Sequence, residues 1–143
     1  MTYVFMFALW TLCLYWIHRL GHKSRWLMKF HADHHKHVNM HGTRWHWNNL
    51  FLFNDTWKST IDLWLTEVIP TLIFCAIFSC WWIFAFYWAW AALVQETVEH
   101  NPNVRIPFWS SGAWHLGHHK NPTVNFGLYV TIWDKLFATN SSH

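Results

Sequence analysis

The chain has 143 residues, enough for one domain. It is 53% hydrophobic and 21% aromatic but only 12% charged, about half the charge of an ordinary soluble domain, so it reads as a chain that meets lipid. Its formal charge of +3, with no long basic run, excludes a nucleic-acid binder, and its many Trp favour a membrane–water boundary.

Residues 1–17 are apolar and uncharged, which predicts a short spanning helix. No basic segment precedes them and no small-residue cleavage site follows, so the helix is expected to be retained, with His18 and His22 just past its end. Residues 19–44 are the opposite in character, with Arg19, Lys23, Arg25, Lys29, Lys36 and Arg44 among histidines. By the positive-inside rule this stretch lies at the cytoplasmic face, where Trp26, Leu27 and Phe30 can anchor a helix along the interface. Residues 45–59 mix aromatics with Asn and Asp and read as an interfacial segment.

Residues 61–94 form the main membrane block, and no Lys or Arg occurs between Lys58 and Arg105. If the histidine-rich stretches on either side share a site, this block must cross the membrane an even number of times. A tight hairpin is therefore expected, turning near Ser79 and Cys80. Asp62 and Glu67 then lie near its start, Glu96 and Glu99 near its finish, and Pro70 kinks or opens the outgoing arm. Residues 101–111 are a loop, and a mixed tail follows from Asn121-Pro122, where Trp133, Leu136 and Phe137 can pack beneath the site. Cys13, Cys75 and Cys80 lie in apolar runs without a CxxC and read as small buried apolar residues.

Three histidine clusters stand out. His18 and His22 are four residues apart. His31, His34 and His35 form an HxxHH motif, which His115, His118 and His119 repeat. On a helix these spacings place imidazoles on one face, and the members of each triplet diverge enough to serve two ions. Neutral imidazole suits iron and zinc. The three clusters together predict a histidine-dominated two-metal site, which His100 joins at the end of the hairpin. Asp33, Glu96, Glu99 and Asp134 are candidates to offset its charge from behind the ligands. His37, His41 and His46 read more simply as polar interfacial residues, and His143 as a disordered terminus. Gly21 and Gly117, inside two of the motifs, suggest close backbone approach around the metals or a plain break in the helix.

These residues resemble the fatty acid hydroxylase/sterol desaturase superfamily of membrane di-iron enzymes. His18-Arg-Leu-Gly-His22 looks like the family's first histidine box, His31-Ala-Asp-His34-His35 its second and His115-Leu-Gly-His118-His119 its last. Glu99-His100-Asn101 with Arg105 and Pro107, and Arg44-Trp-His46, resemble two further elements. Asn125-Phe126-Gly127 and Trp133-Asp134-Lys135-Leu136-Phe137 look like its signature tail, except that Ala138-Thr139 stands where the family usually has Gly-Thr.

The resemblance implies an all-α integral membrane domain over residues 1–143, with its metal site at the cytoplasmic face. It implies O2-dependent hydroxylation or desaturation of a lipid (fatty acid, sterol or carotenoid) at two iron ions, which zinc can replace in purified samples. The catalytic histidines would be His18, His22, His31, His34, His35, His115, His118 and His119, with His100 as a further ligand. Electrons are expected from an external donor of cytochrome b5 or ferredoxin type. The competing reading is a non-catalytic membrane protein that binds or moves zinc or another divalent ion. A transporter should hold ionisable residues inside its spans, where this chain has few.

Overall fold

The computed structural model describes residues 2–141, so His143 lies outside it. Among these residues the secondary structure is helical, with one isolated antiparallel bridge between Trp109 and Val130. The helices are α1 (Thr2–Lys23), α2 (Met28–His41), α3 (Trp57–Leu63), α4 (Ile69–Phe78), α5 (Trp81–Leu93), α6 (Ala113–Lys120) and α7 (Ile132–Leu136).

α1 is longer than its apolar run. It continues through His18 and His22 to Lys23, so both histidines stand in its last two turns and not beyond its end. Polarity marks where an apolar surface stops, whereas backbone hydrogen bonding continues until something interrupts it. Trp10, Leu14 and His18, each four residues apart, form one buried stripe that begins as core and finishes in an imidazole.

α3 and α4 form one helical rod, Trp57–Phe78, interrupted by a π turn at Trp64–Val68. Thr56 caps it by accepting a hydrogen bond from the Ser59 N–H at 3.0 Å. The rod starts four residues before the expected membrane block, which carries Asp62 and Glu67 into its interior. Pro70 lies inside the rod just after the π turn, where the regular hydrogen-bond ladder is already interrupted and a missing N–H is tolerated. Ser79, at φ 52°, ends α4 in the left-handed region, and α5 returns from Trp81. This is the hairpin expected from the sequence.

α1 and this rod are long and apolar enough to cross a membrane, and α5 is a shorter apolar helix. Their packing sets two opposite ends. At one, Tyr3 of α1 meets Trp82 of α5 with ring centroids 5.5 Å apart. At the other lie the histidines. Between them Trp10, Leu14, Val68, Phe74, Ile83 and Tyr87 form the core, and the Trp10 indole donates to Thr71 Oγ1 at 3.0 Å. Cys75 and Cys80 are buried as expected, but Cys13 is exposed on the outer face of α1.

The tail folds back along α1. Trp133 donates to Thr11 Oγ1 at 3.0 Å, and Phe137 stacks on Tyr15 with centroids 5.4 Å apart. Leu136, expected to pack here, is 66% exposed because α7 turns that side outward.

Candidate metal centre

Nine histidines converge at one end of the apolar helices, in two adjoining groups. His18, His22, His31, His35 and His118 form one, and His34, His100, His115 and His119 the other. Within each group the nearest ligand atoms lie within 4.8 Å of one another. The two HxxHH triplets are split between the groups by helix geometry. His31 and His35, a turn apart, face the first, and His34 faces the second. His115 and His119 face the second, and His118 the first. The rings of His35 and His119 stack across the boundary at 4.4 Å.

Hydrogen bonds behind the first group fix its chemistry. His18 Nδ1 lies 2.8 Å from the Phe126 carbonyl, and His118 Nδ1 lies 2.7 Å from that of Val124. His31 Nδ1 lies 2.8 Å from Asp62 Oδ2. Each partner oxygen can only accept, so each neutral ring carries its proton on Nδ1 and turns a bare Nε2 lone pair inward. Yet His18 Nε2 lies 3.2 Å from His31 Nε2, and His22 Nε2 lies 2.8 Å from His31 Nε2 and 2.9 Å from His118 Nε2. His35 Nε2 lies 3.0 Å from His31 Nε2. The single proton of His22 can bridge only one of its contacts. Lone pairs facing each other at such distances repel unless a cation stands among them, so the donor set fits a metal ion.

The second group fits for a related reason. His119 Nε2 lies 3.0 Å from His115 Nε2. Both nitrogens of buried His100, and Nδ1 of His115 and of His119, have no hydrogen-bond partner. Unpaired buried polar atoms are costly, and coordination would satisfy some of them. Glu99 Oε1 stands 3.7 Å from His115 Nδ1, and its Oε2 has no partner.

Burial, reinforced by neighbouring imidazoles, disfavours the charged form of several of these rings. It lowers His35 to about 2, and His34, His115 and His119 well below the usual histidine range. Burial also lowers His100 and His118 to about 4, with the Val124 carbonyl opposing the shift at His118. Burial raises Glu96 to about 7, and Glu99 well above the carboxylate range. A cavity of about 30 Å³, room for a water or two, adjoins the histidines and is bounded further by Asn54, Leu63, Thr66, Glu67, Gln95 and Leu128.

Of the four acids expected behind the ligands, only Glu99 approaches a site imidazole. Asp33 instead accepts from Thr56 Oγ1 at 2.6 Å, joining α2 to the cap of α3. Glu96 lies further off, its backbone carbonyl accepting from Thr43 at 2.7 Å. Asp134 acts one layer back: its carboxylate accepts from the N–H groups of Phe126 and Gly127, from Thr139 Oγ1 and from the Trp114 indole. It thereby secures the loop whose carbonyls orient His18 and His118. Asp62 was missed. Its signal was available, because an acid inside an apolar helix needs a buried partner.

Gly117 is closely approached, since a Cβ there would lie 3.0 Å from Asn125 Nδ2. Gly21 is not. Nothing comes within 4 Å of its Cβ position, so crowding around the metals does not explain it. His37, His41 and His46 stand outside both groups, with His37 Nε2 bonded to Asp55 at 2.9 Å.

Apolar helices with a two-part histidine centre gathered at one end define a class of histidine-box helical proteins. The chain belongs to the fatty acid hydroxylase family, whose model matches residues 3–139. It is 29% identical over 136 residues to methylsterol monooxygenase 1 of Danio rerio, covering 89% of this chain and 42% of that protein. It is 27% identical over 124 residues to a Δ7-sterol 5(6)-desaturase of Aspergillus fumigatus, covering 87% of this chain and 33% of that one. A Δ7-sterol 5(6)-desaturase of Leptosphaeria maculans is 29% identical over 138 residues, covering 92% of this chain and 35% of that one. The chain thus spans less than half the length of these curated relatives. No solved structure gives a significant match.

Proposed function

We propose that the chain is a membrane-embedded oxidoreductase unit that hydroxylates or desaturates an unactivated C–H bond of a lipid. Its relatives' names point to sterols, and fatty acids and carotenoids share the same chemistry. His18, His22, His31, His35 and His118 would hold one metal ion, and His34, His100, His115 and His119 the other. The observation that carries this reading is the set of inward lone pairs in the first group, locked by Phe126, Val124 and Asp62.

Iron bound there would supply the activation of O2 and the removal of hydrogen from carbon. The protein's part is positional. The locks from Phe126, Val124 and Asp62 fix the tautomer and orientation of three of the rings, which lowers the cost of arranging them around an ion. Burial keeps His35 and His118 neutral and therefore competent as ligands near pH 7. The adjoining cavity suits O2 or water. A hydrocarbon is larger than this cavity. Electrons would come from a separate donor of cytochrome b5 or ferredoxin type.

Exposed Val4, Phe5, Ile73, Ile77 and Trp81 on the apolar helices support insertion into lipid. Lys23, Lys36 and Lys120 stand close in sequence to the histidines and support a cytoplasmic placement of that end. The ionisable residues inside the Trp57–Phe78 rod have partners within the protein. Asp62 is bonded to His31, and Glu67 accepts from Tyr129 at 3.3 Å. This favours a closed reaction site over zinc transport.

The test supplies iron-loaded protein with a host lipid extract, O2 and a reducing system, and looks for a new hydroxyl or double bond by mass spectrometry. Loss of that product in His118→Ala supports the reading. An iron-loaded, reduced protein that leaves every lipid unchanged would overturn it in favour of the divalent-metal-binding alternative.

A further inference from the structure

Both π turns among the described residues open onto the same place. Trp64–Val68, inside the rod, contributes Thr66 and Glu67 to the wall of the cavity beside the histidines. Gln95–Glu99, which follows α5, contributes Gln95 and Glu99 to that wall. Turns of this kind are rare, and they are frequent at functional sites. Here they set two carboxyls and an amide around one small space next to the metal ligands.

Glu67 differs from the other acids at the centre. Asp62 is committed to His31, and Glu99 stands 3.7 Å from His115. The buried Glu67 carboxyl instead accepts a long hydrogen bond, 3.3 Å, from the Tyr129 phenol, whose ring packs on Trp10 at 4.7 Å. No ion pair among the described residues involves Glu67. The groups facing it are Asp62 on its own rod, Gln95 and Glu99 on the second π turn, Tyr87 on α5 and Tyr129 on the tail. Ionised, Glu67 would be a buried charge with no cation paired to it. Neutral, it presents a transferable proton at the cavity wall.

We propose, resting on the oxidoreductase reading, that Glu67 delivers protons to the oxygen reduced beside this cavity. Hydroxylation of R–H consumes O2, two electrons and two protons and yields R–OH and water. Desaturation consumes the same and yields two waters. The electrons come from the external donor. The Glu67 O–H bond breaks, its proton passes through a water in the cavity to the oxygen, and the carboxylate takes a proton back from solvent before the next delivery. Gln95, within reach of both carboxyls, can donate an N–H to Glu67 while it is ionised, and the Tyr129 phenol donates from another side. Glu67 acts at one remove from the histidines, so metal retention does not depend on it.

The test compares Glu67→Gln, which keeps the shape and the Tyr129 contact but has no acidic proton, with Glu67→Asp, which is shorter but keeps the acid. Both should hold as much metal as wild type, which also reports that they fold. In iron-loaded protein given host lipid, O2 and reductant, Glu67→Gln should form product about 100-fold more slowly. Glu67→Asp should retain more activity than Glu67→Gln and show a larger solvent isotope effect than wild type. A merely structural role reverses that order, because Gln is the closer shape. In zinc-loaded protein, which performs no turnover, wild type should show the infrared carbonyl band of a protonated carboxyl, shifted in D2O and missing from Glu67→Gln. Equal turnover in wild type and Glu67→Gln, Glu67→Gln faster than Glu67→Asp, or no such band would overturn the proposal. Wild-type protein that oxidises no lipid would instead overturn the oxidoreductase reading, and this inference with it.

Discussion

Asp62 accepts a hydrogen bond from His31 Nδ1 at 2.8 Å, with both side chains buried and the other carboxylate oxygen without a partner. The contact joins the interior of an apolar helix to the middle of a histidine box, and it decides which nitrogen of His31 faces the centre. Asp62→Asn removes the charge, and Asp62→Ala frees the ring. Either should weaken retention of one ion by about 10–100-fold and leave the ion of the second group in place. Metal content after graded chelator dialysis checks this, and unchanged retention would show that Asp62 does not orient the ligand.

The tail makes a different prediction. A Cβ on Gly127 would lie 2.6 Å from the Val130 carbonyl and 2.8 Å from Asp134 Oδ2. Gly127→Ala must therefore displace backbone or break the Asp134 clamp. It is expected to destabilise the protein by about 1–3 kcal/mol, as overpacking does. The Phe126 carbonyl would shift with it, so thermal melting and metal retention should fall together.

Ala138 stands at φ 52°, in the left-handed region where a Cβ is crowded. The family usually places Gly there. Ala138→Gly should relieve up to about 1 kcal/mol of strain, reduced by the greater freedom of the unfolded chain. A rise of a few degrees in melting temperature, with metal content unchanged, is the expected result.

The metal-free protein should be acid-sensitive. Burial holds His34, His35, His100, His115, His118 and His119 below the ordinary histidine value of 6.5. Below pH 6.5 the unfolded chain takes up protons that the folded chain refuses. The histidine contribution is therefore full above pH 6.5 and falls as pH drops below it, by about 1.4 kcal/mol per pH unit for each proton of difference, down to about 4 for His100 and His118 and to still lower pH for the others. Glu96 and Glu99 have raised values, so their contribution runs the other way and is lost as pH rises. Six histidines outweigh two carboxyls in this window. Melting temperatures of chelated protein should fall from pH 7 to pH 5.

The site was legible where side chains carried it. HxxHH spacing predicts both the shared face and the divergence that sends His34 one way and His31 with His35 the other. The hairpin turn expected near Ser79 and Cys80 is where α4 ends and α5 begins. Other features were hidden for physical reasons. The locks on His18 and His118 are main-chain carbonyls, which every residue has, so their positions carry no sequence signal. Asp62 appeared to mark the start of a membrane arm because hydropathy cannot show that α3 begins at Trp57 and carries it inside. Asp134 was assigned to the metals by proximity in sequence, but four hydrogen bonds commit it to the supporting loop.

The most direct test of the central claim is iron analysis of anaerobically purified protein after chelator dialysis, in wild type and in the variants His22→Ala and His119→Ala. The account predicts two dialysis-resistant irons per chain in wild type, with His22→Ala releasing one and His119→Ala the other. A wild-type chain that retains no tightly held ion, or variants that retain both, would contradict it.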